Sequence, residues 1–111
     1  MKLINLTPCT LNFYAEDKET ELFSLKSEGI AKVKTTEVII NDINGLPCSK
    51  VTYGAIEGLP VACDDTVYIV SALTLQALGG ERKDVVAPKT DATAVRDEGG
   101  RILGVTGFSV I

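Results

Sequence analysis

A chain of 111 residues supports one domain around one core. Apolar residues make up 45% of it, histidine is absent and the net charge is −4, with a sequence pI of about 4.7. This balance excludes the basic face that nucleic acid demands, any chemistry or metal site built on imidazole, and, with no long apolar run, a membrane-spanning helix.

The apolar excess in so small a chain points to burial between subunits, so a homo-oligomer (a dimer or larger) is expected. The N-terminus reads MKLINLTPCT, with polar residues where a secretory leader would carry an apolar core. A cytoplasmic protein is therefore expected. The three cysteines, Cys9, Cys48 and Cys63, are odd in number and form no Cys-x-x-Cys pair. They read as small buried hydrophobes in a reducing compartment, and neither a metal nor a cofactor is expected.

In chain order, Lys2–Leu6 alternates as a first strand, Thr7-Pro8-Cys9 turns, and Thr10–Tyr14 returns. Glu16–Glu19 is a charged hairpin tip, Glu21–Leu25 a strand and Lys26–Gly29 a turn. Ile30–Ile43 is the longest β-like run, rich in Val, Ile and Thr. Asn44-Gly45 is the strongest hairpin signal, because both residues accept positive φ. Pro47 limits pairing beside that turn, and Ser49–Glu57 is the return strand, with a bulge expected at Gly54. Gly58-Leu59-Pro60 ends it, and Cys63-Asp64-Asp65 leads into the segment that organises the chain.

That segment, Thr66–Asp91, opens with the apolar run Val67–Val70. Ser71 can cap a helix, and Ala72–Leu78 reads as two helical turns. Leu73 and Ala77 share a face at i,i+4, with Leu75 and Leu78 beside it. Gly79-Gly80 supplies the left-handed stop. Arg82, Lys83 and Asp84 follow, then a second apolar run, Val85–Pro88. Ala92–Arg96 and Arg101–Val105 flank Asp97–Gly100 as a second hairpin, and Thr106–Ile111 reads as an edge or exchanged strand. The sum is a single mainly β (α+β) domain over residues 1–111. It is a twisted antiparallel sheet or partly open barrel with one short helix at about 72–78.

For chemistry, the residues offer one cationic group. Arg82, Arg96 and Arg101 can grip phosphate in bidentate forks, and Tyr68 or Phe108 can stack on a base. Asp91 or Asp97 can accept from ribose hydroxyls, and the free N–H groups near Ser71 can meet an anion. A second set is the turn from Thr7 to Thr10, whose hydroxyls can face the same pocket. The alternative is structural: Arg82 and Lys83 complement the helix C-terminus, while Arg96, Asp97, Glu98 and Arg101 make solvated hairpin pairs. The residues alone favour this alternative. Adjacent carboxylates such as Asp64 and Asp65 read as solvated turns, so no enzyme is expected.

At Ile4–Thr10 (INLTPCT), Gly58-Leu59-Pro60, Thr66–Leu78, Asp84–Pro88 and Thr93–Phe108, the chain resembles a family of small uncharacterised bacteriophage and prophage proteins. The family pattern opens Ile-Asn-Leu-Thr-Pro-His and continues through Thr-Val-Tyr-Ile-Val-Ser, a helix ending Gln-Ala-Leu, and Arg-Arg-Asp-Val-Val-Ala-Pro. It closes on Ala-Val-Arg-Asp-Glu-x-Gly-Arg-Ile-x-Gly-Val-x-Gly-Phe, matched here by Ala94–Glu98, Gly100–Ile102, Gly104, Val105, Gly107 and Phe108. The chain departs from it at Cys9, where the pattern has His, and at Lys89-Thr90-Asp91, where it has Asp-Thr-Gly.

The resemblance implies a phage origin and so the cytoplasm of the infected bacterial host. Phage proteins of this size include sequesterers of nucleotide immune signals, such as cyclic ADP-ribose isomers and cyclic dinucleotides, which hold the alarm molecule without reacting with it. The expected partner is thus a nucleotide-derived small molecule, with neither nucleic acid nor membrane. The rival expectation is a small accessory phage protein that binds another protein through a sheet edge. A nucleotide-cleaving enzyme is a third.

Overall fold

The computed structural model describes residues 1–111. In order, the chain forms β1 (Lys2–Asn5), β2 (Leu11–Tyr14), β3 (Glu21–Leu25), β4 (Lys32–Ile43), β5 (Leu46–Glu57) and β6 (Thr66–Ile69). It continues with α1 (Ala72–Leu78), β7 (Val85–Pro88), β8 (Val95–Arg96), β9 (Ile102–Gly104) and β10 (Phe108–Ser109). The mainly β class and the single helix at 72–78 agree with the sequence reading. No helix is long and apolar enough to cross a membrane.

The central sheet has the order β1-β6-β7-β10. Within it β1, β6 and β7 run parallel and only β10 is antiparallel, pairing Phe108 with Pro88 and Ser109 with Ala87. The parallel pairing differs from the antiparallel sheet expected, and its cause is topological. Parallel neighbours need a crossover, and α1 supplies it between β6 and β7. Everything between residues 6 and 65 lies on the excursion from β1 to β6. The antiparallel pairing expected from the hairpin turns is found instead in three separate two-stranded ribbons, β2-β3, β4-β5 and β8-β9. The C-terminal segment forms an edge strand, one of the two roles read for it.

Strand β6 is buried from Tyr68 through Ile69 and on into Val70. Alternation sends its side chains into two cores. Tyr68 and Val70 pack with Leu6, Ala31, Leu75, Leu78, Val85 and Ala87. Ile69 points the other way, to Phe13 and Val105, with Leu3, Leu11, Leu25 and Val86 around them. One face of the sheet is thus covered by α1 and the base of β4-β5, the other by the β2-β3 and β8-β9 ribbons. At Gly104 the Tyr14 ring packs against bare backbone, where any side chain would collide with it.

Helix α1 begins and ends where its caps require. Ser71 has extended dihedrals and its Oγ accepts from the Thr74 N–H at 3.4 Å. Gly79 adopts φ 61°, and its N–H reaches the Gln76 carbonyl at 3.1 Å. The buried stripe is Thr74, Leu75 and Leu78. Leu73 is 46% exposed, contrary to the face expected from its spacing with Ala77. The stripe is shifted because Thr74 turns inward, where its hydroxyl donates to the Ala31 carbonyl at 3.2 Å.

Asn5 ties the first turn together. Its side chain is fully buried and all four of its hydrogen-bonding sites are used. Nδ2 donates to the carbonyls of Cys9 at 2.8 Å and Leu25 at 3.0 Å. Oδ1 accepts from the Thr7 N–H at 2.9 Å and the Thr7 hydroxyl at 2.6 Å. The turn after β1 is therefore held to the end of β3 by one amide.

The β4-β5 ribbon is an arm. Each strand has 12 residues, and nearly every residue beyond the base is exposed. Asn44 and Gly45 close it with φ of 51° and 84°, as their sequence signal requires. A register shift lies opposite Gly54, the bulge expected there, and a second lies at Ile40. β5 begins at Leu46 rather than at Ser49. Pro47 pairs with Asp42 one step beyond the turn-closing pair, a position whose N faces out of the ladder, so its missing N–H breaks no bond. The cysteines are not buried hydrophobes: Cys9 and Cys63 are exposed in loops, and Cys48 is half-buried on the arm. All three lie on segments that no second layer covers.

Asn5→Ala is expected to lower unfolding stability by about 2–4 kcal/mol, because it strands the buried Thr7 donors and the partly buried carbonyls of Cys9 and Leu25. Urea unfolding with an unchanged m-value checks this. A loss within the error of the measurement would refute the role given to the amide.

Candidate functional site

The residues singled out from the sequence do not converge within one chain. Tyr68 is only 2% exposed, its ring is part of the core and its hydroxyl donates to the Val61 carbonyl at 3.2 Å. Burial, reinforced by the neighbouring Cys63, pushes its phenol above the usual range. Tyr68 is therefore not a stacking platform in this fold. Thr7 is buried on Asn5, and Ser71 is the helix cap.

Arg82 is committed to its own chain as well. It grips Asp84 in a bidentate pair, Nε at 2.8 Å and Nη2 at 2.7 Å. Nη2 also donates to the Pro60 carbonyl at 3.1 Å, and the guanidinium lies 6.0 Å from the centre of the Tyr68 ring. This clamp fastens the end of α1 and the start of β7 to the loop that precedes β6. The hydrogen bond from Arg82 holds the Asp84 carboxyl below its ordinary value of 3.8, against the opposing effect of burial. The same bond raises Arg82.

Arg96 donates to the carbonyls of Gly100 at 3.0 Å and Thr90 at 3.3 Å, both at the surface. It braces the β8-β9 turn, whose backbone is held by Asp97 Oδ1 accepting from the N–H groups of Gly99 and Arg101. Arg101 is exposed. Asp91 Oδ1 accepts from the Thr93 N–H at 2.9 Å and hydroxyl at 2.6 Å. These bonds from Thr93 lower the Asp91 carboxyl, and Lys89 at 3.7 Å adds to the effect.

Five concavities mark the surface, and none is lined by more than one of the nine residues. Asp91, Thr10, Arg82, Ser71 and Phe108 each fall in a different one. Arg96, Arg101, Thr7 and Tyr68 line none of them.

The concavity at Phe108 has the chemistry that the sequence reading sought, supplied by other residues. It has a volume of about 360 Å³ and is lined by Glu16, Lys18, Lys89, Thr93, Thr106, Gly107 and Phe108. Phe108 is 37% exposed and is backed by Phe13, with centroids 5.2 Å apart at 44°. Phe13 in turn stacks on Phe23 at 4.8 Å. The exposed ring is thus held by an aromatic stack that reaches into the core.

Lys18 enters from the β2-β3 tip, where it adopts φ 64°. Asp17 shapes that tip by accepting from the N–H groups of Glu19 and Thr20 and from the Thr20 hydroxyl. Thr20 is the main reason the Asp17 carboxyl lies low. The Lys18 ammonium donates to the Ala92 carbonyl at 3.1 Å, bringing the tip against the loop that carries Thr93. Lys89 leaves the end of β7 beside β10 and also lines the neighbouring concavity with Asp91 and Ser109. Two lysines, two threonines and a half-exposed ring therefore line one space. Such a set can hold an anion attached to a flat ring, while Glu16 offers an acceptor to hydroxyls. Sequence reasoning missed Lys18, Lys89, Thr93 and Thr106. They come from three separate loops, and no local signal joins them.

No cluster of three or more Cys, Asp or Glu side chains is placed to hold a metal ion. No protein-family model, curated protein or solved structure matches the chain.

The Arg82–Asp84 clamp makes a pH-dependent contribution with a definite sign. Asp84 is depressed in the folded state, so the contribution is complete above the unfolded carboxyl's ordinary value of 3.8. It is lost as the pH falls from there through the folded value. Asp84→Asn should flatten the acid limb of a melting temperature–pH profile in that range. Arg82→Ala should cost about 1–3 kcal/mol at neutral pH, since both side chains are three-quarters or more covered. Arg101→Ala should leave the melting temperature unchanged. Equal responses to the two arginine substitutions would sink the clamp.

Proposed function

We propose that this protein is a phage-encoded binding protein that sequesters a nucleotide-derived immune signal, such as a cyclic ADP-ribose isomer or a cyclic dinucleotide. It acts as a homo-oligomer in the cytoplasm of the infected bacterial host, blocking anti-phage defence by holding the signal rather than by turning it over. The observation that carries the reading is the Phe108 concavity, which combines an exposed aromatic ring with Lys18 and Lys89. In this reading the base lies on Phe108, the ammonium groups meet phosphate, and Thr93, Thr106 and Glu16 face hydroxyls. Arg82, Tyr68, Thr7 and Ser71 support the fold around it, and Arg101 is exposed on the β8-β9 turn. The chain's lack of histidine supports binding over turnover.

A second reading has one specific observation in its favour. The exposed β4-β5 arm, with open edges and apolar faces, suits an accessory phage protein that binds another protein without a small-molecule ligand.

Calorimetry with a panel of cyclic and linear ADP-ribose derivatives and cyclic dinucleotides tests the first reading. At least one member should bind and be recovered intact after the protein is denatured. Lys89→Ala and Phe108→Ala should each weaken it by about 10- to 100-fold. No binding by any member would remove the sequestration reading, and recovery of cleaved product alone would replace it with an enzyme.

A further inference from the structure

The geometry points to the β4-β5 arm as the surface through which two copies of this chain assemble. This inference rests on the homo-oligomer part of the proposal above and not on the ligand. The arm is a two-stranded ribbon that reaches away from the core, and the molecule extends 51 Å along its longest axis. Its strands expose Val38, Ile39, Ile40, Val51 and Tyr53, with Ile39 68% exposed, and its tip exposes Ile43 and Leu46. By register Ile39, Val51 and Tyr53 share one face, and Val38 takes the other with Lys50. A lone two-stranded ribbon is marginal in water, so one with apolar groups on both faces calls for a cover.

The amount of surface matches a second copy. The chain exposes 7442 Å², whereas a compact monomer of 11.8 kDa would expose about 5,900 Å². Its radius of gyration is 16.5 Å, against about 13 Å for a compact chain of this length. The excess of about 1,500 Å² exceeds the roughly 800 Å² that each partner contributes to a stable interface.

The charge distribution selects the same occupant. Between Lys32 and Glu57 three lysines (32, 34, 50) balance three carboxylates (Glu37, Asp42, Glu57), so the arm is neutral and the rest of the chain carries the whole net charge of −4. Two arms meet without repulsion, while the bodies of two copies repel and stay apart. Both outer edges of the ribbon are open, so two arms related by a two-fold axis can pair edge to edge or face to face, each using the same patch.

Light scattering at micromolar concentration tests this. Wild type should show at least twice the 11.8 kDa of one chain. The double variant Val38→Asp, Ile39→Asp, charged on each face, should raise the dissociation constant by about 100-fold or more and run as a monomer with unchanged circular dichroism. Val61→Asp, at an exposed apolar residue off the arm, should keep the wild-type mass. A wild-type monomer would overturn the arm and the homo-oligomer together. A double variant that keeps the wild-type mass would overturn the arm alone. Should the double variant not fold, hydrogen exchange of wild type decides. Amides of Val38–Ile40 should lose protection on dilution, and protection independent of concentration would overturn the inference. Calorimetry with the nucleotide panel reads the ligand separately.

Discussion

Strand β6 can occupy the centre of the sheet only because both of its faces are kept from water. Tyr68 and Val70 on one side and Ile69 on the other are buried by different parts of the chain. Helix α1 and the base of the arm cover the first face, and the two short ribbons cover the second. Each cover is thin, and only 17 of 111 residues are buried. Loss of either layer would therefore expose the one strand on which the others are hung, at about 1.5–3 kcal/mol for each large apolar side chain returned to water.

With so few buried residues, polar groups bind the layers together. Asn5 joins the first turn to β3, Thr74 joins the helix to Ala31, and Arg82 joins β7 to the loop before β6. These are the residue types that a search for ligand contacts selects, because a bidentate guanidinium or a fully used amide suits phosphate as well as backbone. Here the demand of the fold comes first. What remains for a ligand is the set with looser ties: Lys18, Lys89 and Phe108, where loops meet at the edge of the sheet.

The arm and the Phe108 concavity arise from one economy of design. In the proposed reading the nucleotide lies at the surface, in the Phe108 concavity. Assembly through the arm would supply the apolar cover that the single chain lacks, leaving the body, with its acidic charge, outside the contact. Repulsion between the bodies then favours contact through the neutral ribbon alone.

Local sequence determined the elements whose signals are complete within a few residues. The helix from Ser71 to Gly79 follows from its two caps, the arm from Asn44-Gly45 between long β-branched runs, and the bulge from Gly54. The ends of short strands were less legible, since two or three residues pair only when a neighbour is present, as in β8 and β10. Tertiary structure alone decided that β1, β6 and β7 lie parallel, because residues 6 to 65 separate the first pair and no local pattern records which strands meet. It also decided the fate of the candidate residues. Tyr68 and Arg82 look like ligand groups in a list of side chains, and only packing shows that a core and a carboxylate already occupy them. Lys18 and Phe108 are 90 positions apart in the chain, and the fold brings their loops together. Hydrophobic period and turn chemistry act over a few residues and can be read in sequence. Proximity between distant loops is set by how the layers close over β6, which exists only in the folded chain.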